Sequence, residues 1–190
     1  MRRAGFVLVG GQSTRMGTDK ALLPFDGALL IDRVARQVAD AAGSVSLVGH
    51  PERYLHLPYR GISDIYPAAG PLAGIHAALS ATEAEWNLVV ACDMPGLATA
   101  FLRELLGKAE AGDADCVAAR SPSDLPEPLC AVYHRRCGDS AAVWLDSGRR
   151  KTADWLATLR VAWRPAETGE WLRNLNTPKD RDDFFKDRHG

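Results

Sequence analysis

The sequence predicts an α/β fold: one domain with a mostly parallel sheet sandwiched by helices. Three observations lead there. Short apolar runs of strand length alternate with longer stretches of helical periodicity through about residue 120. The clearest run, WNLVVACD (86–93), is apolar from Leu88 to Cys92 without alternation, as a strand covered on both faces requires. The 190 residues contain no internal repeat, no low-complexity tract and no linker long enough to divide them, and a chain of this length can build one sizeable core.

The elements follow in order. Ala4 to Val9 suits a fully buried strand. LLIDRVARQVADAAG places Ile31, Val34, Ala35, Val38 and Ala42 on one helical face, with Gly43 as its stop. SVSLVG is a second strand. PLAGIHAALSAT sets Leu72, Ile75, His76 and Leu79 at helical spacing. The buried strand 86–93 ends at Asp93, and ATAFLRELLGKAEAG is a helix with Phe101, Leu102, Leu105 and Leu106 apolar. DCVAA is a further strand. The rhythm then changes, with proline and serine crowding 121–128 before the strand PLCAVY. Helices are expected at 135–147 and 152–158, a last strand at LRVAWR, and a terminal helix in TPKDRDDFFKD with Pro178 in its first turn. In such a fold the ligand site is expected at the carboxyl ends of the strands.

Composition narrows the function. A net charge of −1 gives no basic footprint for a nucleic acid, so an anionic ligand must be met by local charge. Cys92, Cys116, Cys130 and Cys137 have neither a C-x-x-C pair nor zinc spacing and read as buried reduced thiols. The opening MRRAGFVLVGG breaks at its double glycine without a cleavage site, and no apolar run has the length of a membrane span. A cytoplasmic protein is expected.

The stretch VLVGGQSTRMGTDKALLPF (7–25) concentrates chemistry. After the strand, Gly10 and Gly11 turn the chain with no Cβ in the way, so backbone amides can approach a phosphate. Ser13 and Thr14 add hydroxyl donors, Arg15 and Lys20 add two cations, and Gly17 lets the loop bend again. Neither G-x-x-x-x-G-K-[ST] nor G-x-G-x-x-G occurs. The residues alone leave two readings: an anion site, or a cationic surface turn.

The segment LVGGQSTRMGTDKALL resembles the signature L-x-G-G-x-S-x-R-M-G-x-D-K of nucleotidyltransferases, and within them the molybdenum cofactor guanylyltransferases. Further matches follow in family order to residue 180. DIYPAAGPLAGIHAAL (64–79) reads bottom-up as a rigid turn and a helix N-terminus open to a ligand, or as an ordinary loop-to-helix junction; the resemblance implies that Asp64 contacts the nucleotide. NLVVACDMPGL puts Asp93 at a strand's carboxyl end, where a hard carboxylate suits Mg²⁺ shared with phosphate oxygens, or else serves as a loop or capping carboxylate; the family's magnesium aspartate carries over to it. EPLCAVYH resembles Q-P-L-x-A-L-Y, with Glu127 in place of glutamine. GRRK (148–151) is a basic turn or a solvated helix end. NLNTPKD (174–180) matches N-x-N-T-P-x-D, or reads as local capping by Asn174 and Asn176 before Pro178. Val9 stands where alanine is usual, and His50 is the nearest counterpart of a nucleotide-contacting asparagine.

The resemblance implies a Rossmann-like nucleotidyltransferase that joins GMP from GTP to molybdenum-molybdopterin and releases pyrophosphate. Arg15, Lys20 and Asp93 would be catalytic, with Mg²⁺ on Asp93. Leu8, Val9, Gly10, Gly11, Ser13, Lys20, Asp64 and Asp93 would bind the nucleotide, and Arg149, Lys151, Asn174 and Asn176 the acceptor. Residues 1–120 would thus form the nucleotide-binding part and 121–190 the acceptor-binding part. Other molybdenum cofactor proteins and recipient molybdoenzymes are further implied partners. The pair Gly10-Gly11 follows the guanylyl branch (L-A-G-G) and not the cytidylyl branch (L-A-A-G), the missing methyl at Gly10 leaving room for a purine. The alternatives are a cytidylyltransferase, another nucleotidyltransferase on the same scaffold, and a non-catalytic nucleotide-binding protein.

Overall fold

The computed structural model describes residues 2–10 and 19–189. The expectations placed on Gly11, Ser13 and Arg15 lie outside the described residues. Strand β1 is Arg3–Leu8. Past it come a 3-10 turn at Lys20–Leu22 and a small hairpin of β2 (Pro24–Phe25) and β3 (Ala28–Leu29). Next are α1 (Leu30–Ala42), β4 (Ser46–Gly49), β5 (Arg60–Ser63), α2 (Pro71–Ser80), β6 (Trp86–Ala91) and α3 (Thr99–Ala111). The rest of the chain holds β7 (Cys116–Arg120), β8 (Pro126–His134), α4 (Cys137–Asp146), α5 (Thr152–Leu156), β9 (Val161–Pro165) and α6 (Pro178–His189).

Seven strands form one sheet in the order β5-β4-β1-β6-β8-β7-β9. All pairings are parallel except those of β8, which runs antiparallel to both β6 and β7. Its register with β7 shifts between Ala118 and Ala119. Such an irregularity bends a strand, and in β8 it falls between Glu127 and Ala131.

Two apolar layers cover the sheet. On one face α1 presents Ile31, Val34, Ala35 and Val38, all fully buried, beside Phe101, Leu102, Leu105 and Leu106 of α3. This is the helical stripe read from the sequence, and α1 ends at Gly43, whose N–H bonds Ala39 O at 2.8 Å. On the other face α2 contributes Leu72, Ile75 and Leu79, and α4 and α5 contribute Leu145 and Trp155. Trp155 stacks on Tyr133 with ring centroids 5.5 Å apart, and its indole N–H donates to Ser140 Oγ at 3.1 Å. Every residue of β6 is buried, as a central strand between two layers requires. The four cysteines are free, three of them buried and Cys92 half-buried. Among the described residues no helix is long and apolar enough to cross a membrane.

Three features differ from the sequence reading. Strand β6 stops at Ala91, so Asp93 stands two residues beyond it. The β2/β3 hairpin and β5 were not expected: β2 and β3 are two residues each, and β5 is an edge strand whose RGIS sequence is mostly exposed and carries no apolar run.

Candidate active site

A cavity of about 420 Å³ opens at the carboxyl ends of β1, β4 and β6. It is bounded by Leu8 to Gly10, Asp19 to Ala21, Val48 to His50, Asp64, Gly70, Asp93 and Leu129. All six of the sequence-predicted nucleotide residues within the described chain therefore meet in one place. A second hollow of about 480 Å³, between α1 and the start of α3, contains none of them.

The floor is set by β1 and its neighbours. Past the strand end, Val9 N–H bonds Val48 O at 2.8 Å and Cys92 N–H bonds Leu8 O at 3.2 Å. Gly10 follows at φ +91°, and a Cβ there would lie 2.8 Å from His50 Cδ2. A methyl there would meet the His50 ring, and the backbone conformation itself favours glycine. His50 Nδ1 lies 3.1 Å from Glu52 Oε1.

The turn at Lys20 is anchored by Asp19, a letter of the signature to which the sequence alone assigns no role. Asp19 accepts from Ala21 N–H at 3.1 Å, capping the 3-10 turn, and from the Tyr54 hydroxyl at 2.7 Å. Burial, then this carboxylate partner, pushes the Tyr54 phenol far up, so it remains a donor. Lys20 is held as the next residue. Its ammonium donates to Asn176 Oδ1 at 2.7 Å and lies 3.9 Å from Asp93 Oδ2.

Asp93 is partly buried, its side chain 22% exposed. Burial pushes its carboxyl up, and the Lys20 charge opposes that shift. Asp64, just past β5, has Oδ1 buried without a hydrogen-bond partner among the described residues, and burial raises its carboxyl too. Such an oxygen is costly unless a ligand or water satisfies it. Gly70 and Pro71 open α2 into the cavity, and the helix has no side-chain cap at that end. The loop-to-helix segment thus presents an open N-terminus to the cavity.

The residues assigned to the acceptor divide. Arg149 and Lys151 are exposed on the turn between α4 and α5, and the Arg149 guanidinium lies 4.5 Å over the Trp144 ring. Tyr66 of the 64–70 loop donates to Asp146 Oδ1 at 2.7 Å, tying the end of α4 to that loop. Asn176, by contrast, bonds Lys20, one of the residues expected to bind the nucleotide. Capping at the start of α6 is done by Thr177 and Asp180: Asp180 N–H bonds Thr177 Oγ1 at 3.1 Å, and the Asp180 carboxylate accepts from Thr177 N–H at 2.7 Å and Asn176 N–H at 2.8 Å. The side chains of Asn174 and Asn176 are not the caps, and Asn174 Oδ1 is buried without a partner among the described residues.

Glu127, noted in the sequence only as a departure from glutamine, also reaches this rim. Its Oε1 accepts from Leu129 N–H at 3.1 Å, and burial, together with the charge of Asp93, pushes its carboxyl up.

Comparisons with known proteins agree with this geometry. A family model described as "MobA-like NTP transferase domain" matches residues 5–162. A Synechococcus elongatus protein named "Probable molybdenum cofactor guanylyltransferase" is 38% identical over 187 residues, covering 95% of this chain and 96% of the relative. A Pelotomaculum thermopropionicum protein of the same name is 34% identical over 188 residues, covering 95% and 90%. Among solved structures, molybdopterin-guanine dinucleotide biosynthesis protein A from Archaeoglobus fulgidus superposes with a TM-score of 0.80 at 28% identity, covering 97% of this chain and 98% of that one.

Proposed function

Because the chain belongs to the MobA-like NTP transferase family and is a nucleotidyltransferase, we propose that it transfers GMP from GTP to the phosphate of molybdenum-molybdopterin. The observation that carries this reading is the meeting of Lys20, Asp93 and Asn176, from three separate segments, at one end of the sheet. The names of the relatives support guanine as the base and the pterin as acceptor.

In this reaction an oxygen of the pterin phosphate bonds to the α-phosphorus. The bond from that phosphorus to the bridging oxygen breaks, and its electron pair leaves with pyrophosphate. The nucleophile is already anionic at neutral pH, so the residues need supply no strong base. Their work is to align two polyanions and offset their charge. Leu8, Val9 and Gly10, with Gly11 and Ser13 of the loop, hold the triphosphate by backbone and hydroxyl groups. Lys20, with Arg15, meets the charge of the leaving pyrophosphate, and Asp64 contacts the nucleotide. Arg149, Lys151, Asn174 and Asn176 face the acceptor. Residues 1–120 carry the nucleotide and 121–190 the acceptor, with Asn176 touching both.

Asp93 fits Mg²⁺. Its donor is a hard carboxylate oxygen, and Mg²⁺ commonly takes one or two carboxylates together with substrate phosphates. The ion, when bound there, would offset charge at the α-phosphate. The reaction is read as cytoplasmic, with other molybdenum cofactor proteins and recipient molybdoenzymes as further partners.

Pyrophosphate release tests the reading, measured with Mg²⁺, the pterin acceptor and either GTP or CTP. Release that requires both GTP and the acceptor is expected. Equal or faster release with CTP would move the protein to the cytidylyl branch, and no release with either nucleotide would overturn the reaction. Asp93→Asn is nearly isosteric and should keep the fold while losing most turnover, since charge stabilisation by a metal at a phosphoryl group is worth roughly several kcal/mol.

A further inference from the structure

The ammonium of Lys20 has two acceptors within reach, and it is bonded to the neutral one. It makes a 2.7 Å hydrogen bond with the Asn176 carbonyl oxygen and stops 3.9 Å from the Asp93 carboxylate. Electrostatics alone favours the reverse. Both side chains of the Lys20–Asp93 pair are about four-fifths buried, where screening by water is weakened. An unopposed lysine in that position would close onto the carboxylate.

What opposes it is a carboxamide delivered from a pinned backbone. Leu175 N–H bonds Asp93 O at 2.9 Å, fixing the residue before Asn176 to the backbone of the very residue in question. On the other side the Asp180 carboxylate accepts both Asn176 N–H and Thr177 N–H. Asn176 is therefore held on both flanks, at a fixed distance from Asp93. Its amide orientation is chemically forced, because an ammonium carries only donors and so must face Oδ1.

We infer that Asn176 is a positioning residue that keeps the Lys20 ammonium off the Asp93 carboxylate, leaving that carboxylate open to a divalent cation. This rests on the reading of Asp93 as the metal residue and adds to the acceptor role proposed for Asn176. Without the carboxamide, Lys20 closes onto Asp93 as an internal counter-ion, and a cation must displace it to bind. With it, Lys20 stays near enough to meet phosphate oxygens while the metal position stays free. The lysine and the metal then act side by side and do not compete for one carboxylate.

The test is a double-mutant cycle read by Mn²⁺ binding, followed by electron paramagnetic resonance in the absence of nucleotide. Four proteins are titrated: the parent, Asn176→Ala, Lys20→Ala and the double variant. Asn176→Ala should bind Mn²⁺ roughly two- to five-fold more weakly, the upper part of the range for an ion pair that water still reaches. Lys20→Ala should bind as tightly as the parent or more tightly. The double variant should match Lys20→Ala, because the competitor is gone, and Asn176→Gln should recover part of the affinity. If Asn176→Ala weakens Mn²⁺ binding equally with and without Lys20, the effect is structural and the inference fails. Unchanged binding in Asn176→Ala also overturns it. Asp93→Asn serves as the control: if it too leaves Mn²⁺ binding unchanged, the metal reading of Asp93 has failed, a result distinct from failure of the positioning role.

Discussion

The Tyr54 hydroxyl donates to Asp19 Oδ2 at 2.7 Å across 35 residues of sequence, and this bond ties the residue before Lys20 to the segment after β4. Tyr54 is 2% exposed, so the bond forms from a fixed ring. Asp19 in turn caps the turn that begins with Lys20.

Tyr54→Phe should therefore act on the nucleotide more than on the fold. The ring still fills its place, and the loss is one hydrogen bond to a charged group, about 1.5–3 kcal/mol at most. The expected outcome is a modest fall in melting temperature with a several-fold rise in KM for GTP. A KM equal to that of the parent would mean that Lys20 is placed without this anchor.

Lys20→Ala should lower kcat more than it raises KM. Charge builds on the departing pyrophosphate, so a cation beside it acts mainly in the transition state. Steady-state kinetics in GTP at saturating acceptor decides this. A rise in KM alone would assign Lys20 to ground-state binding.

Gly10→Ala should destabilise the protein for two separable reasons. At φ +91° a non-glycine residue costs about 1–2 kcal/mol, and the new methyl meets the His50 ring. Chemical denaturation of Gly10→Ala and of Gly10→Ala with His50→Ala should show the second variant recovering the steric part only. Full recovery would show that the backbone conformation costs nothing there.

Asp64→Asn should stabilise the ligand-free protein near neutral pH. Burial raises the Asp64 carboxyl above its usual 3.8. Between that value and the raised one the folded state binds more protons than the unfolded state, so stability falls as pH rises through the window and stays lower above it. Asparagine has no charge to bury. The gain in melting temperature should be largest at pH 7.5 and shrink as pH is lowered toward 4. The same substitution should weaken GTP binding. A gain independent of pH would locate its origin elsewhere.

The sequence carried the parts of this molecule that depend on local patterning. Ile31, Val34 and Val38 mark α1 because a helix repeats every 3.6 residues, and WNLVVA marks β6 because both its faces are covered. Asp64, Lys20 and Asp93 were placed by motif, and they line one cavity. Strand direction leaves no periodic trace, so nothing in PLCAVY announced that β8 runs against its neighbours. Edge strand β5 is too exposed to show an apolar run. Asp19 was legible only as a letter beside Lys20, since its partner Tyr54 is distant in sequence. Asn176 read as a cap or an acceptor ligand because its contact with Lys20 spans 156 residues.

The position of β8 has a consequence for folding. It lies between β6 and β7, so the strand that completes the middle of the sheet comes from the last third of the chain. A fragment ending at residue 120 would leave β6 with an open apolar edge and β7 without either neighbour, β8 or β9. Exposed edges of that kind pair with other chains. The stretches proposed to serve the nucleotide and the acceptor are therefore not separate units of folding. Equilibrium denaturation should show a single cooperative transition, with fluorescence from the tryptophans and far-ultraviolet dichroism coinciding. Lys20 cannot make its bond to Asn176, nor Asp93 its bond to Leu175, until the chain has been synthesised through residue 176.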